Sequence, residues 1–197
     1  MALADPTTII QNVVASVTTG QTLDLDEIAA TMPDIEYDPT QFPGLVYRLK
    51  KPKTATLIFT TGKMVCTGGK SASESRRAVK KIVKGLNQAG ITVTGKPEIT
   101  IQNIVASGDL GATVNLELTA MTLENSLYEP EQFPGLIHRM RDPKTVILIF
   151  GSGKIVITGA KFEEQVPEAA KKIMNRLHEL ELLDIGKTDD AVDDDDW

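Results

Sequence analysis

The feature that most constrains this chain is an internal repeat with an offset of 91 residues. Residues 10–16 (IQNVVAS) recur as residues 101–107 (IQNIVAS), and residues 37–70 align without a gap to residues 128–161, with 20 of 34 positions identical. Two copies are fewer than an open array of stacked repeats needs. The repeat therefore predicts two units of one design in a closed pseudo-two-fold arrangement.

Each copy has the same predicted order of elements: a strand, a short helix, a run of strands and a long helix. Asp24 with Glu27 predicts the start of the short helix, and Ser71 or Ser73 is the predicted cap of the long one. Thr61-Gly62 predicts a tight turn between antiparallel strands. The expected fold class is α+β, with the first copy at 1–95 and the second at 96–183. Strands are expected at 11–17, 44–49, 55–60 and 63–67, and the long helices at about 71–90 and 163–182.

The net charge of −6 comes from the end of the chain. From Asp184 onward there are seven Asp against one Lys, so residues 1–183 are neutral overall. We expect this acidic tail, residues 184–197, to be disordered because it is too charged to pack. Residues 37–90, by contrast, carry eleven Lys or Arg against two Asp or Glu. That excess predicts a surface for phosphate groups.

Several classes of protein are disfavoured by this sequence. No apolar run approaches the roughly 18 residues of a membrane span, and the first residues lack the basic-then-apolar order of a signal peptide. We therefore expect an intracellular protein without a membrane partner. The single cysteine, Cys66, supplies neither an internal disulfide nor a cysteine zinc cluster, and its repeat counterpart Ile157 predicts a buried strand residue.

No catalytic, metal or cofactor site is evident in the sequence. The segment TGGKS at 67–71 is superficially similar to a phosphate-binding loop, but that pattern requires a glycine where Met64 stands. His138 and His178 are far apart in sequence, and neither is matched by a nucleophile. An enzymatic function is therefore disfavoured.

The central strands are apolar on both faces. In LIF at 57–59 and ILIF at 147–150 both alternations are apolar, whereas a sheet with helices on one side should show one polar face. One long helix per copy is too little to cover both faces, so a surplus apolar face must meet something else. Three partners fit: another sheet, as in a homodimer, a small apolar ligand, or the floor of a DNA minor groove.

Polar residues on the surplus face favour the minor groove. By strict alternation Asn12 shares a face with Val14, and Thr67 shares one with Val65. Asn amides and Thr hydroxyls can donate to adenine N3 and thymine O2, the acceptors that an A·T pair shows in the minor groove. Singly, such residues are more often solvated or bonded to backbone, but here they occur as symmetric pairs. The second copy repeats them as Asn103, Val105, Val156 and Thr158.

Phenylalanines and cations are also matched between the copies. Ring side chains near a loop end can wedge between base steps and kink a duplex, although core packing is the usual role of Phe. Cations beside them are expected to contact phosphates on both sides of the groove. The matched pairs are Phe42 with Phe133, Phe59 with Phe150, Arg48 with Arg139, Lys63 with Lys154 and Lys70 with Lys161.

These residues resemble those of the TATA-box-binding proteins, most closely the archaeal form. The resemblance covers about residues 8–183 and rests on QNVVAS/QNIVAS, QFPGL and LIFTTGKMVCTGGK/LIFGSGKIVITGAK. It implies a curved antiparallel saddle of about ten strands with four helices on the convex face. It also implies a transcription initiation factor that binds the TATA box of double-stranded, AT-rich promoter DNA and bends it. The location implied is the cytoplasm or nucleoid of an archaeon, or the nucleus if the source is eukaryotic.

The resemblance implies a role for each matched residue on the surplus face. The implied intercalating residues are Phe42, Phe59, Phe133 and Phe150, the implied central base contacts are Asn12, Asn103, Thr67 and Thr158, and the implied groove-floor contacts are Val14, Val105, Leu57, Leu148, Val65 and Val156.

Protein partners are implied as well: transcription factor B and, through it, RNA polymerase. The implied docking loop for factor B contains Glu129, Glu131 and Gln132. The charge distribution agrees, because residues 128–181 carry eight acidic against eight basic residues while the first copy is strongly basic. Matched DNA contacts with unmatched protein contacts would let factor B fix the direction of the complex. Without DNA, a homodimer through the concave face is the alternative use of the surplus surface.

Overall fold

The structure, a computed structural model, describes residues 4–186, and within them it contains twelve strands and four helices. The predicted acidic tail, residues 184–197, lies outside the described residues from position 187 onward. Its first residue, Asp184, is described and pairs with Thr113 in a two-residue strand. The strands are β1 (Thr7–Thr18), β2 (Ile35–Glu36), β3 (Leu45–Lys50), β4 (Lys53–Ile58), β5 (Lys63–Gly69), β6 (Glu98–Asp109), β7 (Thr113–Val114), β8 (Ser126–Leu127), β9 (Leu136–Met140), β10 (Thr145–Ile149), β11 (Lys154–Ala160) and β12 (Leu183–Asp184). The helices are α1 (Leu25–Thr31), α2 (Ala72–Gln88), α3 (Leu116–Thr122) and α4 (Gln165–Glu179).

The described chain divides into two units, which we call the first-copy unit, Gln11–Ile104, and the second-copy unit, the residues on either side of that range. The strands of the first repeat copy have the order β2-β3-β4-β5-β1, and those of the second repeat copy have the order β6-β11-β10-β9-β8. Residues 98–104 of β6 fall within the first-copy unit, and residues 7–10 of β1 fall within the second-copy unit. Strands β7 and β12 form a separate antiparallel pair. The predicted α+β class is confirmed, with ten strands in an antiparallel sheet and four helices.

Side-chain caps begin three of the four helices. Asp24 accepts a hydrogen bond from the Glu27 N–H (3.0 Å) at the start of α1, and Ser71 accepts one from the Glu74 N–H (3.0 Å) at the start of α2. Asn115 caps α3 in the same way. Helix α4 has no side-chain cap, and its Pro167 lies in the first turn, where the missing N–H breaks no helical hydrogen bond. The predicted start at Asp24 is confirmed, and of the two serines predicted as caps of the long helix, Ser71 and Ser73, it is Ser71 that caps α2.

The predicted tight turn at Thr61-Gly62 is confirmed, but the strand before it is shorter than predicted. Strand β4 ends at Ile58 instead of residue 60, because the Phe59 carbonyl accepts a hydrogen bond from the Gly62 N–H (2.9 Å) and closes the turn. Gly62 has φ +79°, a conformation that only glycine adopts readily. Phe59 therefore stands at the end of a strand, where the chain begins to turn.

Each unit buries one face of its sheet under its long helix. On the first-copy strands the buried and half-buried residues alternate, and the same is true of the second-copy strands. Full burial of one large aliphatic side chain contributes about 1.5–3 kcal/mol relative to exposure. The fully buried core of the first-copy unit includes Val13, Ala15, Ile58, Met64, Cys66, Ile82 and Leu86, and that of the second-copy unit includes Leu136, Ile147, Ile149, Ile157 and Leu177.

Four strands of only two residues each were not expected from the sequence: β2, β7, β8 and β12. Two residues are too few to show an alternating pattern. Among the described residues, no helix combines the length and apolar character that crossing a membrane requires.

Candidate nucleic-acid interface

The surplus apolar face is present in the first-copy unit. Residues that stand opposite one another in an antiparallel pair share a face of the sheet. The register pairs Val46 with Leu57 and Leu57 with Val65, so these three form one row across β3, β4 and β5. All three are half-buried, whereas their neighbours along each strand on the other face are buried, except for Tyr47, which is itself half-buried.

The second-copy unit carries an equivalent row. Ile137 pairs with Leu148, and Leu148 pairs with Val156, and all three are again half-buried. Val14 on β1 and Val105 on β6 are also half-buried. The sequence prediction of a second apolar face, left uncovered by the unit's own helices, is thus confirmed in each unit.

A polar row lies beside the apolar row of the first-copy unit. Arg48 pairs with Ala55, and Ala55 pairs with Thr67. The Thr67 hydroxyl donates to Oδ1 of Asn12 (3.2 Å), and the Gly68 N–H donates to the same oxygen (2.7 Å). Since a backbone N–H can only donate, it fixes which end of the Asn12 amide is the oxygen. The Asn12 NH₂ group is therefore the part of the amide that remains for a ligand.

The corresponding second-copy residues occupy matching positions. Arg139 pairs with Val146, and Val146 pairs with Thr158. Asn103 on β6 and Thr158 on β11 are both half-buried. Each predicted base contact thus stands on a strand at the place that the repeat assigns to it, and its contact with DNA stays a prediction.

The four matched phenylalanines form two ring pairs of nearly the same geometry. Phe42 and Phe59 have ring centroids 6.0 Å apart with an interplanar angle of 67°, and Phe133 and Phe150 have centroids 5.9 Å apart with the same angle. Edge-to-face contact of this kind is favourable between aromatic rings. None of the four is fully buried, and Phe42 is 40% exposed. Each pair brings together one residue of the QFPGL motif and one at the end of a central strand.

Two glycines that sequence reasoning passed over make room for these rings. A Cβ atom on Gly44 would lie 2.7 Å from Cε1 of Phe42 and 2.9 Å from Cε1 of Phe59. A Cβ on Gly135 would lie 2.8 Å from Cε1 of Phe133 and 3.0 Å from Cε1 of Phe150. Such distances are too short for a real contact, so the ring positions depend on glycine. The available signal was the glycine of the QFPGL motif, which is present in both copies.

The first-copy unit also has an open cleft, with a volume of about 1300 Å³, whose lining includes residues of this face. Asn12, Arg48 and Thr67 line it together with Lys70, a predicted phosphate contact, and Lys53, a further cation. The Lys70 ammonium donates to the Gln11 carbonyl (2.8 Å), which holds it at the end of β5. Asn12, Thr67 and two of the predicted phosphate-binding cations therefore border one cleft.

Two of the predicted phosphate-binding cations form ion pairs with carboxylates of their own unit. Nε of Arg48 lies 3.3 Å from Oε1 of Glu36 in the first-copy unit. In the second-copy unit Lys154 pairs with Asp109, and its hydrogen bond lowers the pKa of that carboxyl, helped by the Gly111 N–H. Lys161 is exposed.

The predicted docking loop is a tight turn of the second-copy unit. The Glu129 carbonyl accepts from the N–H groups of Gln132 and Phe133, each at 2.9 Å, and Glu129, Glu131 and Gln132 are all exposed. The first-copy loop has the same backbone turn, but there the Asp38 carboxylate accepts hydrogen bonds from the N–H and the hydroxyl of Thr40. Hydrogen bonds from Thr40 lower the pKa of the Asp38 carboxyl.

The remaining titratable groups singled out in the sequence are structural. Burial raises the pKa of the Cys66 thiol, as expected for an inert core residue. Burial also lowers the pKa of His138, whose Nδ1 lies 3.2 Å from the Ser126 hydroxyl. Within residues 4–186, no group of three or more His, Cys, Asp or Glu is arranged to hold a metal ion.

Fold and site together define a two-repeat α+β protein whose units each carry a half-buried apolar sheet face bordered by a phenylalanine pair and cations. The family model described as "Transcription factor TFIID (or TATA-binding protein, TBP)" matches residues 7–89 and 98–180. The chain belongs to the TATA-binding protein family.

Individual relatives agree with the family match. The TATA-box-binding protein of Sulfurisphaera tokodaii is 58% identical over 174 residues, which is 88% of either chain. That of Methanocaldococcus jannaschii is 52% identical over 183 residues, covering 93% of this chain and 100% of the relative. The solved structure described as "Methanococcus jannaschii TBP" has a TM-score of 0.80 and 54% identity, covering 87% of this chain and 98% of that one.

Proposed function

We propose that this protein is a transcription initiation factor that binds the TATA box of promoter DNA in the minor groove and bends the duplex. Its family membership supports this, because the relatives are named for the TATA box. Such a protein acts on chromosomal DNA, which in an archaeon lies in the nucleoid. The observation that carries the proposal is the fixed Asn12 amide beside the half-buried apolar row of the first-copy unit.

The Asn12 amide explains why AT-rich DNA would be preferred. Its oxygen is occupied by Thr67 and Gly68, so its NH₂ group is the donor that faces a ligand. Adenine N3 and thymine O2 are acceptors, whereas a G·C pair also presents the guanine N2 donor in the minor groove. At a G·C pair the Asn12 NH₂ group would meet the guanine N2 amino group, and no hydrogen bond forms between two donors. In this scheme Thr67 orients the amide, and Asn12 makes the base contact.

The apolar rows favour the same groove. Four side chains of these rows are half-buried: Leu57, Val65 and their second-copy counterparts Leu148 and Val156. Contact with the sugar edges that line the groove would bury them further, which is favourable for apolar surface. Phenylalanines at the strand ends can then unstack base steps and widen the groove, as the TATA-binding family itself exemplifies.

The test compares AT-rich and GC-rich duplexes of one length at moderate salt. Wild-type protein is expected to prefer the AT-rich duplex, and equal or absent affinity would overturn the proposal. Asn12→Asp keeps an acceptor for the Gly68 N–H but removes the donor, and it should lower AT-rich affinity by about 10- to 100-fold. Asn87→Asp is the matched control, because the Asn87 Oδ1 also accepts one backbone N–H, that of Val93, but on α2.

We also propose that the acidic second-copy loop recruits transcription factor B and, through it, RNA polymerase. Glu129 and Glu131 are exposed, and within the described residues neither side chain forms an ion pair, so both carboxylates are available to a basic partner. The first-copy loop has Asp38 and Thr40 bonded to each other instead. The two loops therefore offer different surfaces to a protein partner.

A second use of the apolar rows is self-association when DNA is absent. Half-buried Leu57, Val65, Leu148 and Val156 favour coverage by a second copy of the chain. Sedimentation velocity should then show a dimer at high protein concentration that an AT-rich duplex converts to a monomeric complex. A protein that stays monomeric across the concentration range would contradict this proposal.

A further inference from the structure

Two carboxylates stand on the same sheet faces as the cations predicted to hold phosphates. Glu36 pairs with Val46 in the β2–β3 register, which places it in the row of Leu57 and Val65, and it lines the same cleft as Asn12. Its partner Arg48 belongs to the adjacent row and lies diagonally across from it. A carboxylate is thus built into the proposed DNA-binding face of the first-copy unit.

The second-copy unit has a carboxylate on its proposed DNA-binding face as well, but at a different position. Asp109 alternates in step with Val105 along β6, and Lys154 alternates in step with Val156 along β11. The two charged groups form an ion pair. The Asp109 carboxylate also accepts a hydrogen bond from the Gly111 N–H (2.8 Å), so it is held in place by the turn that follows.

The repeat does not conserve either carboxylate. The counterpart of Glu36 is Leu127, and the counterpart of Asp109 is Thr18. Consequently the matched cations differ: within the described residues, the side chains of Arg139 and Lys63 form no ion pair. In each of these two matched pairs, Arg48 with Arg139 and Lys63 with Lys154, one cation is paired with a carboxylate and, among the described residues, the other is not, and the paired cation is in the first copy in one case and in the second copy in the other.

We infer that Glu36 and Asp109 make the phosphate contacts of the two copies unequal, so that Lys63 in the first copy and Arg139 in the second are the strong contacts. The inference rests on the proposed function. A phosphate that approaches Arg48 or Lys154 meets a carboxylate already bound there, and like charges at close range repel. The two carboxylates therefore act as specificity determinants, which set where along the groove each copy holds the DNA backbone.

The dependence of DNA affinity on salt concentration measures how many phosphates the protein cations neutralise. Each phosphate neutralised by a protein cation contributes about 0.9 to the slope of log K against log salt. Lys63→Ala and Arg139→Ala should each reduce the slope by roughly that amount and weaken AT-rich binding, whereas Arg48→Ala and Lys154→Ala should change the slope by less than about a third of it. Equal effects of all four substitutions would overturn the inference.

Removal of the carboxylates supplies the complementary test. Glu36→Gln and Asp109→Asn should each tighten AT-rich binding by about threefold or more and steepen the slope by up to about 0.9. Asp109→Asn retains the acceptor for Gly111, so the turn is preserved. In the Glu36→Gln background, Arg48→Ala should then cost as much as Arg139→Ala does. An unchanged slope in both variants would contradict the inference.

Transplanting the carboxylates between copies provides the matched control. Leu127→Glu and Thr18→Asp place an acid where only the other copy has one, and each should weaken the contact of Arg139 or Lys63 and flatten the slope. Leu127 is 52% exposed and Thr18 is exposed, so both substitutions are compatible with folding.

If wild-type protein fails to prefer AT-rich DNA, the proposed function fails. If that preference holds and the salt slopes do not differ as stated, only the present inference fails.

Discussion

His138 takes the place that Tyr47 occupies in the first copy, and it is a buried polar side chain with only 8% exposure. Burial lowers its pKa below the usual 6.5, while a backbone hydrogen bond to Glu124 opposes the shift. As the pH falls, the unfolded chain takes up a proton before the folded chain does. The stability that neutral His138 contributes is therefore complete above about pH 6.5 and declines as the pH drops through that value.

We expect wild-type protein to lose more stability than His138→Gln between pH 7.5 and pH 5.5, because the variant has no imidazole to protonate. Urea unfolding of both proteins at the two pH values checks this. Proton titration followed by NMR should also place the His138 pKa below 6.5. Parallel pH profiles for the two proteins would show that His138 does not contribute in this way.

Glycine at position 62 is required by both conformation and space. It has φ +79°, and a Cβ there would lie 1.8 Å from the Gln21 carbonyl oxygen and 2.4 Å from Oγ1 of Thr19. Gly62→Ala should lower the free energy of unfolding by about 2–5 kcal/mol, since it adds overpacking to backbone strain. Gly20 has a similar φ of +75° with nothing within 4 Å. Gly20→Ala should therefore cost only about 1–2 kcal/mol, and equal losses in denaturant unfolding would show that the crowding is relieved.

At single residues the sequence predicts position better than partner. Strict alternation placed Asn12 on one face with Val14, and Thr67 on one face with Val65, and the register with β4 confirms the second of these. It could not show that Thr67 and Gly68 share the Asn12 oxygen, because that contact joins residues about 55 positions apart. Nor could it show the close approach of Gly44 to two phenylalanine rings. Such contacts depend on the register between strands, and alternation along one strand does not fix it.

Among the elements, long periodic segments were predictable and short ones were not. Helix α2 was expected from its serine cap and its apolar stripe, and it begins after Ser71 as predicted. Strands β2 and β8 contain two residues each and exist because β3 and β9 offer them an edge to pair with. Strand β4 ends before Phe59 because the turn takes up its carbonyl. Pairing partners and turn closure, which are tertiary effects, decided these cases.

The strand ends give the phenylalanines a role that can be tested element by element. Phe59→Ala and Phe150→Ala should each reduce the bend of an AT-rich duplex, because a methyl group is too small to hold a base step open. Fluorescence resonance energy transfer between the duplex ends measures the bend. Phe162→Ala is the control: its ring is 65% exposed before α4 and is not part of either ring pair. An unchanged bend in the first two variants would argue against wedging.

For the molecule as a whole, the two copies share the residues proposed to contact bases and differ in the loop proposed to contact a protein. Glu131 in the second-copy loop is exposed, and its first-copy counterpart is Thr40. We expect Glu131→Arg to retain AT-rich DNA binding and to lose the ternary complex with transcription factor B, since it reverses the charge of the loop. Electrophoretic mobility shift with and without factor B measures both. Thr40→Arg should leave the ternary complex intact, and survival of that complex in Glu131→Arg would disprove the docking assignment.

The net charge of the molecule comes mainly from the end of the chain. Residues 187–197, outside the described range, contain six Asp and one Lys, so their removal changes the net charge from −6 to −1. A negative segment repels a duplex at long range and competes with it for the cations of residues 37–90. Deletion of 187–197 should therefore raise the association rate with AT-rich DNA several-fold at about 0.05 M salt, and the gain should shrink as the Debye length falls to roughly 3 Å near 1 M. Replacing the six Asp by Asn should reproduce the gain at full chain length. Stopped-flow rates that match wild type in both variants would show that the segment only hydrates the surface.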